Sequence, residues 1–109
     1  MKFNEVNFER EVVTAGNEKA TKQIDAATGI GMSWSFSWAG AGITGEVALQ
    51  GSSQPGKWVD INGSVRPITG NSGTVLYNVR QIYFKWMRGR IKSSSGDITV
   101  DTTATLTGY

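Results

Sequence analysis

The side chains that could carry chemistry in this chain are three aspartates, Asp60, Asp97 and Asp101, and several runs of serine. The 109 residues include no histidine and no cysteine, which excludes thiol nucleophiles, disulfides and zinc sites built on either residue. The aspartates fall in separate turns and strands without a paired base, so they are interpreted as solvated carboxylates. The serines lack a histidine or a recognisable lysine to activate a hydroxyl. The sequence therefore predicts a protein that is not an enzyme, with no catalytic, cofactor-binding or metal-binding residues.

A stretch of basic residues without an intervening acid lies in the last third of the chain: Arg80, Lys85, Arg88, Arg90 and Lys92. Such a stretch could bind a phosphate backbone or an acidic partner subunit. The net charge of +2 is small, and the aromatic residues within the stretch are too hydrophobic for a free stacking platform. Nucleic acid is therefore not favoured as a partner. Basic residues on a strand also protect its edge from pairing, and a structural or subunit-contact role is predicted for Lys85, Arg88 and Arg90.

Four tryptophans could line a sugar site: Trp34, Trp38, Trp58 and Trp86. On alternating strands, however, tryptophan is more often a core residue. A core position is therefore predicted for Trp34 and Trp86. Trp58 lies beside a loop and is the better candidate for contact with a ligand.

Residues 30–38 alternate strictly between apolar and small polar side chains, which predicts a half-buried strand. The same alternation recurs in residues 43–50 and 98–106, and turns are predicted at residues 39–42, 51–56, 70–73 and 93–97. About eight short strands without a crossover helix indicate an all-β fold, an antiparallel two-sheet β-sandwich of jelly-roll-like topology. The predicted core residues are Met32, Trp34, Phe36, Val47, Leu49, Val100 and Leu106.

Residues 1–20 are predicted to form an extended N-terminal arm, and residues 21–109 a single β-sandwich domain. A disordered terminus is the alternative for the arm. Its apolar residues fall outside the strand pattern, and docking on a neighbouring subunit would cover them. Phe3, Val6 and Phe8 are therefore predicted subunit contacts, in a homo-oligomer whose basic strand faces the glutamates of the arm. Those glutamates are Glu5, Glu9 and Glu11.

The first residues of the chain lack the apolar run of a signal peptide. No apolar stretch in the sequence is long enough to span a membrane. We therefore expect a protein that is soluble where it is made and has no membrane partner.

Six short motifs, in a fixed order between residues 21 and 109, carry a resemblance: GEVALQGS at 45–52, WVDINGS at 58–64, ITG at 68–70, LYNV at 76–79, WMR at 86–88 and SSG at 94–96. In this order they resemble small β-sandwich proteins from bacteriophage structural gene clusters. The resemblance implies a virion component assembled in the host cytoplasm, such as a capsid decoration, spike or tail protein in contact with other virion proteins. No cofactor is implied.

Some of the same motifs are similar, more weakly, to discoidin-like sandwich modules, which bind sugars or lipids through their loops. This second resemblance implies the alternative function of a carbohydrate- or surface-binding module, with a host-surface glycan as ligand. The chain departs from the phage pattern at residues 53–55, where a loop carboxylate is missing, and at Gly89, where a branched apolar residue is usual. The second departure predicts a gap or bulge beside Arg88 and Arg90.

Overall fold

The computed structural model describes residues 2–26, 29–54, 56–80, 82 and 84–108, with residues 2–4 and 29 described by their backbone alone. This part of the chain forms nine β-strands and no helix, which confirms the prediction of an all-β fold. None of its segments is a helix long and apolar enough to cross a membrane. The strands are β1 (Lys2–Asn7), β2 (Glu11–Val13), β3 (Glu18–Ala20), β4 (Ile24–Asp25), β5 (Gly29–Ser52), β6 (Val59–Asp60), β7 (Arg66–Val79), β8 (Trp86–Ser95) and β9 (Ile98–Gly108).

All strand pairs are antiparallel, and they connect into one curled sheet in the order β1-β9-β5-β8-β3. The 24-residue strand β5 is its centre. The first half of β5 pairs with β9, and its second half pairs with β8. Strand β7 runs along the other side of β5, next to both halves. The antiparallel arrangement is as predicted, whereas the division into two sheets and the jelly-roll topology stay predictions.

Strands β5 and β7 bend together where the sequence predicted two separate turns. The pairing register shifts between Ala39 and Ile43, and two glycines near this point have left-handed φ angles, +60° at Gly42 and +93° at Gly70. Glycine adopts this conformation without steric cost, and the Gly42 N–H donates to Asn71 Oδ1 at 3.3 Å. The predicted turns at residues 39–42 and 70–73 are therefore wrong, because both strands continue through them.

The bend brings the inward faces of both halves of β5 onto one hydrophobic core. Every predicted core residue is buried, with between 0% and 8% of its surface exposed. Trp34 and Phe36 lie at the centre, with ring centroids 6.0 Å apart. Trp86 is instead half-buried on the outward face of β8, with Lys85 Nζ 4.7 Å from its ring centroid. The core prediction is thus correct for Trp34 and wrong for Trp86, since Met87 and not Trp86 points inward from β8.

No gap or bulge lies beside Gly89, contrary to the prediction. Gly89 pairs in regular register with Leu49, and the rings of two core residues fill the space above it. A Cβ atom added at Gly89 would lie 2.5 Å from Phe36 Cζ and 3.1 Å from Trp34 Cζ2. The glycine is required here because the aromatic rings approach the β8 backbone closely.

The segment predicted as an N-terminal arm is extended, and its strands pair within the same chain. Strands β1 and β2 pair with β9, and β3 pairs with β8. Val13 is fully buried, Val6 and Phe8 pack against the core, and the rings of Phe8 and Trp34 are 5.0 Å apart. Thr21, just beyond the predicted boundary, continues the contact through its N–H, which donates to the Gly89 carbonyl at 2.9 Å. Val6, Phe8 and Val13 are therefore covered by their own chain.

We expect Trp34→Ala to lower the free energy of unfolding by about 3–5 kcal/mol, because it empties a large, fully buried volume. The matched control is Ser35→Ala, the next residue on the opposite face, which loses only an exposed hydroxyl contact with Thr103 and should cost less than about 1 kcal/mol. Urea titrations of the two variants measure both values. Equal losses would show that Trp34 does not lie in the core.

We expect Gly89→Ala to cost about 1–3 kcal/mol, because the new methyl group collides with Phe36. Phe36→Leu shortens the colliding side chain, so the double variant should lose less stability than the sum of the two single variants. Thermal unfolding of the four proteins measures this coupling. Strict additivity would contradict the close contact between Gly89 and the ring.

Candidate interaction surface

The outward face of β8 carries the two arginines that the sequence singled out. Met87, Gly89 and Ile91 alternate toward the core, so Arg88 and Arg90 point to the other side of the sheet. Strands β3 and β5 flank β8, and β6 lies beyond β5. We name the outward-pointing residues of this region the β8 face: Glu18, Glu46, Gln50, Trp58, Asp60, Arg88 and Arg90.

Arg90 is the centre of an ion-pair network on the β8 face. Its guanidinium donates to Glu46 at 2.7 Å, to Glu18 at 3.0 Å and twice to Asp60 at 3.1 Å. Only 12% of its side chain is exposed. Burial alone would lower the pKa of Arg90, but the three carboxylates outweigh burial and raise it. The charge of Arg90 is therefore neutralised within the chain, and the stretch that looks basic in the sequence is not a free positive patch at this residue.

Gln50 links the two arginines through its side-chain amide. Its Nε2 donates to Asp60 Oδ1 at 3.0 Å, and its Oε1 accepts from Arg88 Nε at 2.8 Å. Burial would raise the pKa of Asp60, but the hydrogen bonds from Gln50 and Arg90 lower it below its ordinary value. The network thus fixes donors and acceptors from four strands and holds Asp60 in its charged form.

Trp58 covers one end of this network. The Arg88 guanidinium lies 4.2 Å from the Trp58 ring centroid, in a cation–π contact. Burial lowers the pKa of Arg88, and Glu18 partly opposes this effect. A groove of about 340 Å³ is lined by Glu18, Lys19, Ala20, Gln50, Arg88 and Arg90. Its walls offer hydrogen-bonding groups held in place by the network, an arrangement that suits the binding of a polar ligand.

The residues predicted as one subunit contact are divided between two sides of the sheet. Arg88 and Arg90 lie on the β8 face, and Lys85 is exposed just before β8. Val6 and Phe8 pack against the core. The backbone of Phe3 pairs with Thr107, but its side chain lies outside the described part of the structure.

Sequence reasoning missed the acidic partners of Arg90. The glutamates predicted to face the basic strand were Glu5, Glu9 and Glu11. The glutamate of the N-terminal segment that contacts Arg90 is instead Glu18. Glu11 Oε2 lies 3.8 Å from Lys19 Nζ. The outward positions of Glu46 and Gln50 were readable from their alternation with Val47 and Leu49. Their position opposite β8 was not readable, since it depends on pairing between distant strands. In the described ranges, no cluster of acidic side chains is arranged to hold a metal ion.

No protein-family model and no curated protein matches this chain. Solved structures do match it in fold. The PBSX exported protein XepA is 11% identical with a TM-score of 0.70 over 97% of this chain, which spans only 37% of XepA. The SPBc2 prophage-derived protein YomS is 11% identical with a TM-score of 0.60, over 95% of this chain and 93% of YomS.

A third similar structure is the N-terminal cellulose-binding domain of β-1,4-glucanase C from Cellulomonas fimi. It is 9% identical with a TM-score of 0.55, over 95% of this chain and 80% of that domain. At these identities the likeness is one of fold. The architecture is thus shared by phage-derived proteins and by a cellulose-binding domain, and the phage-derived proteins fit the class of the first sequence resemblance.

We expect Arg90→Leu to destabilise the protein by about 2 kcal/mol at pH 7, because three carboxylates lose their charged donor. The pKa of Asp60 is lower in the folded protein, so its stabilising effect is present above the unfolded-state pKa of about 4 and is lost as the pH falls through the folded-state pKa. The difference in unfolding midpoint between wild type and variant should therefore shrink on acidification from pH 7 to pH 3.

The control for this prediction is Arg10→Leu, which removes an ion pair with Asp101 in which both side chains are more than half exposed. Exposed pairs contribute little, so this variant should unfold close to wild type at pH 7. Thermal unfolding followed by circular dichroism at a series of pH values measures both differences. A pH-independent difference for Arg90→Leu would contradict the proposed role of the carboxylates.

Proposed function

We propose that this chain is a non-catalytic structural component of a bacteriophage virion, a capsid decoration protein or a spike or tail component that self-assembles and docks on the particle. The observation that carries the proposal is the shared fold with the prophage-derived protein YomS, over 95% of this chain and 93% of YomS. The order of motifs along the sequence supports the same class. In this proposal the protein is assembled in the host cytoplasm and functions in the virion.

The β8 face supports docking rather than turnover. Arg90 and Asp60 are each held by several hydrogen bonds, and Arg88 by Gln50 and the Trp58 ring, so these side chains would lose little freedom when a partner covers them. Charges at the margin of an interface contribute mainly to specificity and to the rate of association. We propose Arg88, Arg90 and the exposed Lys85 as contacts with a neighbouring virion protein, and Val6 and Phe8 as residues that hold the N-terminal strands against the core.

The proposal is tested by mass spectrometry of density-purified particles and by co-sedimentation of the purified chain with particles that lack it. We expect mass spectrometry to give a constant copy number per particle and co-sedimentation to be saturable. Arg88→Glu should weaken co-sedimentation, and the exposed control Arg10→Glu should leave it unchanged. Absence of the chain from purified particles, together with no co-sedimentation, would overturn the proposal.

The second candidate function is a carbohydrate- or surface-binding module. The observation that favours it is Trp58, which is half-buried beside a groove and stacks on Arg88. An aromatic face next to fixed hydrogen-bonding groups such as Gln50 is suited to an oligosaccharide. Calorimetric titration with soluble host-surface glycans decides between the candidates. The binding module would be favoured by two results together. Glycan binding should be abolished by Trp58→Ala and preserved in Trp86→Ala, and the protein should be absent from purified particles.

A further inference from the structure

Strand β7 leaves one side of the curled sheet open. Among the described strands it pairs only with β5, which occupies one of its two hydrogen-bonding sides. No backbone hydrogen bond from a described turn or loop reaches it. The other side of β7 therefore presents a row of N–H and C=O groups to which a further strand could pair.

Charge distinguishes this edge from the others. The other strands at the margins of the sheet each carry at least one charged residue: Lys2 and Glu5 in β1, Glu11 in β2, Glu18 and Lys19 in β3, Asp25 in β4, and Asp60 in β6. Strand β7 has Arg66 at its start but no charged residue from Thr69 to Val79. Charged side chains on edge strands oppose pairing with another chain, so β7 lacks the protection that the other edges have.

Apolar surface accompanies the open edge. Leu76 is 64% exposed, the most exposed of the large hydrophobic residues in the described part of the chain. A groove of about 280 Å³ lies between β7 and the loop at residues 61–64, and Leu49, Leu76 and Tyr77 are among the residues that line it. The Tyr77 hydroxyl donates to the Ser64 carbonyl at 2.6 Å and holds this loop in place. A strand added to β7 would therefore meet the exposed side chain of Leu76 and the groove beside it.

We propose that β7 pairs antiparallel with β7 of a second copy of this chain, so that two curled sheets join across a two-fold axis. Such pairing sets a strand against itself, which brings like charges together wherever the strand is charged. The segment from Thr69 to Val79 has no charged residue and avoids this penalty. Self-pairing of β1 or β2 would instead bring Glu5 or Glu11 of the two copies close together. This inference rests on the self-assembly part of the proposed function and assigns it a surface.

Light scattering during size-exclusion chromatography tests the pairing over a dilution series of the full chain. We expect wild type to be a dimer that Leu76→Lys converts to a monomer, a halving of the mass, because the substitution places like charges beside the axis. The control is Asn7→Lys, an exposed position on the opposite edge strand β1, which should leave the dimer intact. A wild type that is monomeric at every concentration, or a Leu76→Lys variant with the mass of wild type, would overturn the proposal.

Single-cysteine variants keep the test decisive if Leu76→Lys misfolds. The chain has no cysteine, so a disulfide in Thr74→Cys, Leu76→Cys or Asn78→Cys can form only between copies. Directly opposed residues of an antiparallel pair have Cα atoms about 4.5–5.5 Å apart, within the range that a disulfide requires. We expect rapid crosslinking in the variant nearest the axis and none in Asn7→Cys. Equal crosslinking at both edges, or none at β7, would overturn the proposal.

The particle assay separates this inference from the proposed function. A dimer that fails to co-sediment with particles would support the β7 pairing and contradict the virion role. The wild-type chain could instead be a monomer that binds particles, with the binding lost in Leu76→Lys. That result would show that β7 pairs with a different virion protein. It would contradict the pairing of two copies of this chain but would leave the virion role in place.

Discussion

The whole structure depends on two strands that stay paired while they bend. Strand β5 keeps β7 beside it on both sides of the bend at Gly42 and Gly70, where the pairing register shifts and then resumes, so its two halves can face one core. Trp34 and Phe36 from the first half then share that core with Val47 and Leu49 from the second. Strands β9 and β8 each pair with a different half of β5, and their positions follow from the bend.

The β8 face and the open edge of β7 are both consequences of this bend. The β8 face exists because β8 pairs with the second half of β5, which sets Arg90 near Glu46 and Arg88 near Gln50. The open edge exists because no described strand follows β7 around the curl. If the chain reversed direction at residues 39–42 and 70–73, as in a turn, β7 would not form one long edge and β8 would have different partner strands.

Local patterns predicted which residues point inward, because alternation with period two depends only on neighbouring residues. The seven predicted core residues are buried for this reason. The predictions of turns at residues 39–42 and 70–73 were wrong because a glycine-rich segment has the same sequence pattern whether the chain reverses direction or a strand bends. Which of the two occurs depends on pairing with a strand that is distant in sequence. The Arg90 network was missed for a related cause: Glu18, Glu46 and Asp60 are far from Arg90 in sequence and meet it only through strand pairing.

Amide hydrogen exchange followed by NMR tests the bent strand pair most directly, since it reads the pairing of every backbone N–H in one experiment. Protected amides are expected in β5 on both sides of residues 40–42, as in one continuous strand. In dilute protein, the amides of β7 should alternate between protected and fast-exchanging, and the fast set should become protected as the concentration rises. Unprotected amides throughout one half of β5, or a β7 protected at every residue and every concentration, would contradict the bent strand pair with an open β7 edge.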